Sequence, residues 1–527
     1  MVVNFRRFTG RLRGAWLRPP VLFLCLSLIA ETSLADSREA LQKAADLVQQ
    51  GQFEQADREA RRALSDPQTR AVAYSVLGII RFQQRRLDDS AKFLQEAIRL
   101  DPRLLGAHLS LAEVYTLQGK QQRALTLFRR VLVLDPANVD ARLALARVET
   151  EKGNYRESLA LVKPVLNRVK QSPDGLLVLA ADHAKLPDKE AAAALADDWR
   201  RLASAPPELS TKFALLLLEG GAVPEAVDIL ERVQQAGPTS YEAAFNLAGA
   251  YAANSDLARA LDAYDKALSF NSQSVLALRQ AAIIAERQGE LERSLSYWVR
   301  ARKLEPEDSE ILLGFGRVCL KMDLLEDAEL ALSKAASLRP QEAKYQYTLA
   351  AAKTGRRQFE AAQSILQSLL KTHPGDPQLE YALGSVEYLQ GHLPEAAAHL
   401  RESVRLQPSQ VGSYYYLALA VRDQQNEGEA IRILEGLLQE HPEHAAAREV
   451  LGTLLMSANK YDDARQNLEE AVRLNPKSVK ANYQLGLLLA RMGKKDEADK
   501  QLEIAKSLRK EDEENSRLQL RLLDPDQ

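Results

Sequence analysis

The sequence predicts an all-α fold, a solenoid of about fourteen helix-turn-helix repeats of 34 residues each. Three observations carry this reading. Prolines recur every 34 residues at 306, 340, 374, 408, 442 and 476, and the same lattice runs back through Pro238, Pro136 and Pro102. Two places in each 34-residue unit hold only small side chains. Glycine recurs midway between them. A fixed period of this length is the signature of stacked repeats, each of which buries its apolar face only against its neighbours.

With the frame set to begin at Ser37, fourteen units cover 37–512 without an insertion. Position 8 is Ala or Gly in every unit, from Ala44 and Gly78 to Gly452 and Gly486. Position 20 is Ala or Ser in every unit, from Ala56 and Ser90 to Ala464 and Ala498. If each half-unit is a helix, these two positions face each other at the closest approach of the pair. A larger side chain there overpacks, at a cost of about 1–3 kcal/mol per site. Apolar residues at positions 4, 7, 8 and 11 share one helix face by their i, i+3, i+4, i+7 spacing.

The breaks follow the same frame. Gly51, Gly119, Gly153, Gly221, Gly289, Gly391 and Gly493 stand at position 15, where a left-handed residue ends the first helix. Proline at position 32 lacks an N–H and disfavours the helical conformation in the residue before it, so it ends the second helix. Asp101-Pro102, Asp135-Pro136 and Asn475-Pro476 are examples.

Leu111-Ala112 with Tyr115, Ala124, Phe128 and Pro136, and Leu451-Gly452 with Ala464 and Pro476, resemble the tetratricopeptide repeat family pattern. The resemblance covers nearly all of 37–512. It implies a right-handed superhelix, with first helices lining a concave face and second helices outside. It is specific for fold and nearly silent about ligand.

The ends read differently. Residues 1–35 hold five arginines and one acid, so the remainder carries a formal net charge of −6 against −2 for the whole chain. An arginine-rich start, the short apolar run Val21 to Ala30 and the small pair Ser33 and Ala35 predict a signal peptide over 1–35, cleaved after Ala35. The run is much shorter than the ~20 residues of a spanning helix. The alternative is an uncleaved inner-membrane anchor formed by residues 17–30. Phe23 and Leu24 are bulky where a lipoprotein signal wants small residues, so lipidation at Cys25 is rejected. The expected compartment is the periplasm or the exterior. Removal of the leader leaves Cys319 as the one cysteine, so no intramolecular disulfide can form.

The fifth unit, 173–206, is the most degenerate, with Pro173, Pro187 and Trp199 in unusual places and Pro206-Pro207 directly after it. It separates repeats one to five (37–206) from repeats six to fourteen (207–512), either as an ordinary if irregular repeat or as a bend. The last stretch, 513–527, is expected to supply a C-terminal capping helix and tail, with Leu518, Leu522 and Leu523 near one helix face.

No enzyme chemistry is legible. The repeats and their cap occupy 37–527, which leaves no stretch for a catalytic domain. His392 and His399 stand seven apart, and His441 and His444 flank the helix-breaking Pro442; neither pair makes a metal ligand set. Gly314-Phe315-Gly316 looks like part of a phosphate loop, but it falls inside a first helix, where packing explains it. The acidic balance carries no footprint for nucleic acid. The sequence calls for no cofactor and no metal.

In the family it resembles, ligands lie along the concave groove, contacted by positions 2, 5, 9, 12 and 13 of the first helix. Position 5 holds Phe245, then Tyr347, Tyr381 and Tyr415 in three successive units, and Tyr483. Tyr388 stands at position 12 near Tyr381, Arg279 and Arg317 hold positions 5 and 9 of units eight and nine, and Arg422 holds position 12 of unit twelve. Of these, Arg279, Arg317, Tyr347, Tyr381, Tyr388, Tyr415 and Arg422, in units eight to twelve, form the candidate partner-binding site, a basic section leading into a tyrosine ladder that suits an extended polypeptide or sugar chain. The alternative is that the tyrosines pack between neighbouring first helices. No unit pairs Lys at position 5 with Asn at position 9, so no clamp for C-terminal carboxylates is expected. The expected function is a non-catalytic protein-interaction scaffold in assembly of an envelope, secretion or polysaccharide-export machine. The alternatives are a direct glycan binder and an accessory subunit that regulates an envelope enzyme.

Overall fold

The computed structural model describes residues 32–522, apart from residues 187, 203–204 and 238–239. The predicted leader up to residue 31, Pro187 and Pro238 therefore lie outside the described residues. Every regular element among the described residues is a helix. The second helix begins at position 17 in all fourteen units, from Phe53, Leu87 and Gln121 to Tyr461 and Lys495, so the frame read from the sequence is the frame of the structure.

The chain divides into two compact units, Met1–Asn271 and Ser272–Gln527. The division falls between repeats seven and eight, two repeats beyond Pro206-Pro207. Among the described residues no helix is long and apolar enough to cross a membrane. The first helix runs from Thr32 to Gln49, so the predicted cleavage point after Ala35 falls in its first turn.

The small positions are buried throughout both units. Ala44, Ala112, Ala146, Ala56, Ala226 and Ala464 are all fully enclosed. Positions 8 and 20 touch: the Ser90 hydroxyl donates to the Gly78 carbonyl at 2.7 Å, and the Ser294 hydroxyl to the Ala282 carbonyl at 2.8 Å. Tertiary structure adds a third member to the contact. In repeats with glycine at position 8, a Cβ there would come within 2.5–2.7 Å of the leucine at position 24, as at Gly78/Leu94, Gly316/Leu332, Gly384/Leu400 and Gly452/Leu468.

The turn is as uniform as the contact. Glycines at position 15 have φ between 73° and 85°, and the non-glycine residues there (Arg85, Ser255, Asp323, Arg357, Gln425 and Asn459) are also left-handed, at 58–66°. Each non-glycine side chain held this way costs about 1–2 kcal/mol, so packing of the two helices, not local preference, sets the turn in those repeats. At the other end of the repeat, Asp101 and Asp135 are extended, with φ of −133° and −138°, as the proline after each requires.

In the first unit, repeat four departs from the regular pattern. The second helix of repeat four, Tyr155–Val162, is interrupted by a 3-10 turn at Lys163–Val165 around Pro164 and resumes over Leu166–Val169. Repeat five forms both helices, Pro173–Lys185 and Lys189–Arg200. Its Trp199 ring stacks on Phe213 of repeat six at 4.1 Å and 10°, and both rings are buried.

Asp182 of repeat five is wholly buried. Its Oδ1 accepts from the Thr150 hydroxyl at 2.7 Å, while its Oδ2 has no partner. Burial pushes its carboxyl up to about 6, against the pull of the Thr150 and Ser158 hydroxyls. A raised carboxyl favours the folded state in its protonated form. That stability is complete below the ordinary carboxylate range near pH 4 and is lost as pH rises through about 6. Through Asp182 the first unit is therefore expected to be more stable at pH 5 than at pH 7.5 by about 1 kcal/mol. Asp182→Asn should reduce that slope in urea unfolding followed by circular dichroism, leaving the part carried by Glu113, whose carboxyl burial pushes up to about 7. An unchanged slope would assign the pH dependence elsewhere.

In the second unit, repeats eight to fourteen continue the alternation. The final helix runs unbroken for 28 residues, Lys495–Leu522. The expected C-terminal capping helix is thus not a separate element. With no glycine or proline between 495 and 522 to stop it, the second helix of repeat fourteen carries straight on.

Candidate functional site

Every proposed site residue lies in the second unit, on the first helices of repeats eight to twelve: Val275–Gln288, Ser309–Lys321, Ala343–Gly355, Pro377–Gln390 and Val411–Asp423. Asp308 and Asp376 cap two of these helices through their side chains, and Ser274 caps a third. The glycine turns after Gln288 and Gln390 end two of them.

The basic section is neutralised within the protein. Arg317 forks onto Glu286 at 3.0 and 2.6 Å, and Lys321 reaches the same carboxylate at 2.8 Å. Burial pushes the Glu286 carboxyl up, but the bonds from Arg317 and Lys321 outweigh it and hold it below the ordinary range. Arg279 lies 3.6 Å from Asp308. Lys344 binds Glu310, which also accepts from the buried Tyr345 hydroxyl. The sequence reading counted the arginines and missed Glu286, although it stands at position 12, one of the groove positions.

The tyrosines converge on a residue the sequence reading did not single out. Tyr416 stands edge-on to Tyr381 at 6.0 Å and 64°, to Tyr388 at 5.9 Å and 69°, and to Tyr415 at 5.6 Å and 77°. Tyr415 also meets the His444 ring at 5.3 Å. All four tyrosines are half-buried, and they pack against the core cluster of repeats eleven to fourteen. A close approach seats Tyr381: a Cβ at Gly412 would lie 2.9 Å from its ring, so only glycine leaves room there. The run Tyr414-Tyr415-Tyr416 was the available signal, but position 6 is not one of the groove positions of the family pattern.

Tyr388 and Arg422 share a partner. The Tyr388 hydroxyl donates to Asp423 at 3.0 Å, and Arg422 binds the other oxygen at 2.7 Å. Burial, with the bond to Asp423 second, pushes the Tyr388 phenol up to about 12. Burial also raises the phenols of Tyr347, Tyr381 and Tyr415. Tyr347 is half-buried against the core of repeats ten and eleven and forms no ring pair among the described residues. Phe245 belongs to the first unit, where it packs on Tyr241 and Tyr264. Tyr483 is 49% exposed.

Behind the cluster, Glu380 and Glu387 each precede a site tyrosine, Tyr381 and Tyr388. Both carboxylates are buried, and His399 of the second helix joins them, at 2.6 Å from Glu380 and 3.8 Å from Glu387. Burial raises the Glu387 carboxyl, only partly offset by His399. This arrangement fixes the face of Pro377–Gln390 that carries the tyrosines. Among the described residues no group of three or more His, Cys, Asp or Glu is placed to hold a metal ion.

Stacked helix pairs that present a row of aromatic and paired ionic side chains define a repeat scaffold for protein interaction. Family profiles described as Tetratricopeptide repeat match residues 41–104, 115–181, 211–275, 279–343, 347–411, 422–466 and 479–512, and one described as TPR repeat matches 452–493. The chain belongs to the tetratricopeptide repeat family. No curated protein matches it.

Similar solved structures include a tetratricopeptide repeat protein from Parabacteroides merdae (18% identity, 47% of this chain and 98% of that one, TM-score 0.41). Yeast Tom70 matches at 15% identity over 91% of this chain and 97% of its own, TM-score 0.37. The Cut9–Hcn1 hetero-tetramer of the APC/C matches at 15% identity over 89% and 98%, TM-score 0.40.

Proposed function

We propose that the protein is a non-catalytic scaffold that works outside the cytoplasm and docks partner polypeptides on the first helices of repeats eight to twelve. Its role is assembly of an envelope, secretion or polysaccharide-export machine. The observation that carries the docking face is the convergence of Tyr381, Tyr388 and Tyr415 on Tyr416, with their rings half in the core and half available. Aromatic side chains of this kind supply contact area at little conformational cost, and the strongest contacts of protein interfaces concentrate in them. The arginine-rich, apolar start of the chain supports export.

Affinity capture from envelope extracts, with the unaltered protein and with Tyr347→Ala/Tyr381→Ala/Tyr415→Ala compared side by side, tests the docking face. Loss of three contact aromatics should weaken retention more than about tenfold. Undiminished capture by a variant of normal helical content would defeat the reading. Loss of helical content would assign the rings to the core.

A further inference from the structure

We propose that the tyrosine cluster of repeats eleven and twelve binds a proline-rich polypeptide segment in the polyproline II conformation. This names the partner class of the docking face and rests on that reading.

Charge is the first argument. Arg422 is matched by Asp423, and Glu449 is matched by Lys480 at 2.8 Å. The His444 ring accepts the Ala447 N–H on Nδ1 at 3.0 Å. The two cations and two carboxylates of these pairs cancel, so an ionic ligand would have to displace an existing partner to gain from docking there.

The second argument is hydrogen bonding. The Tyr415 and Tyr416 hydroxyls have no partner among the described residues, and neither oxygen is sealed from solvent. They offer donors to whatever covers them. A proline-rich chain presents backbone carbonyl acceptors and has no N–H at proline to leave unsatisfied.

Shape and spacing agree. Rings set at 64–77° to Tyr416 do not lie in one plane. A pyrrolidine ring packs against ring edges and faces alike, whereas a sugar ring stacks on an open flat face. Tyr381 and Tyr388 stand two helical turns apart, about 10.5 Å along the axis, close to the ~9.3 Å turn of polyproline II. That helix is already extended before binding, so docking costs little order, and aromatic-lined grooves recognise it for this reason.

The test uses the full chain and fluorescence anisotropy with labelled decaproline, a neutral Gly/Ser decapeptide and unlabelled maltohexaose as competitor. Decaproline should bind about tenfold more tightly than the Gly/Ser peptide. Tyr415→Phe/Tyr416→Phe, which removes only the hydroxyls, should weaken it by about tenfold. Equal affinity for the two decapeptides overturns the proposal. So does undiminished decaproline binding by both that variant and Tyr381→Ala/Tyr388→Ala. Binding of maltohexaose with no preference for decaproline assigns the cluster to glycan and overturns it as well. If decaproline fails while the triple alanine variant still loses its captured protein, the polyproline assignment falls and the docking face stands.

Discussion

Trp199→Ala is expected to destabilise the first unit by about 3–5 kcal/mol, the range for removing a large buried aromatic. Trp199 is 5% exposed, and the ring beneath it, Phe213, is fully buried. The two rings lie nearly parallel at 4.1 Å, so truncation both opens a cavity and uncovers Phe213. The site also joins repeat five to repeat six, just where Pro206-Pro207 interrupts the chain. Stability of a repeat array is close to a sum of repeat and neighbour terms. Loss of this neighbour term should therefore split the urea transition, with repeats five and six unfolding first. Trp199→Phe keeps part of the stack and should lose clearly less. A cost below about 1 kcal/mol for the alanine variant would mean that the stack does not hold the two repeats together.

The second large effect depends on the sign of one substitution at two places. Gly314→Ala should destabilise the second unit by about 2 kcal/mol, within the range for overpacking, even though alanine favours a helix over glycine by about 1 kcal/mol. The added Cβ would stand 2.3, 2.5 and 2.6 Å from three ring atoms of Trp298. That ring is 2% exposed and rigid, so the clash cannot be relieved by a small torsion. Gly436→Ala, in the helix Glu427–Glu440, meets nothing within 4 Å. It should stabilise the second unit by up to about 1 kcal/mol. Thermal unfolding of the two variants against the unaltered chain checks both signs. Equal shifts in the same direction would contradict the packing account of Gly314.

The helices and their register were legible in the sequence because the period is enforced by steric exclusion. A side chain larger than serine at position 20, or larger than alanine at position 8, does not fit between two helices in contact, and that exclusion is written residue by residue. The turn was legible where glycine filled position 15. It was hidden at Arg85, Asp323 and Arg357, which adopt the same left-handed backbone without a glycine to announce it. Pro164 is a breaker visible in the sequence, and it interrupts the second helix of repeat four, whereas repeat five, with its misplaced prolines, forms both helices.

The candidate site was only partly legible. Tyr381, Tyr388, Tyr415 and Arg422 do come together, as their positions 5 and 12 predict. The hub that joins the rings, Tyr416, is at position 6, and the family's groove positions do not reach it. The arginines at 279 and 317 read as free positive charge because a sequence lists charges without their partners. Glu286 and Asp308 answer them from a neighbouring repeat or its turn.

The sequence by itself determined the helical repeat, its frame and the small contacts, since these depend on spacing along the chain and on the size of single side chains. Only the tertiary structure decided which charges are cancelled, which rings meet and where the chain divides at Asn271/Ser272. Those properties belong to pairs of residues that lie near each other in space and far apart in order.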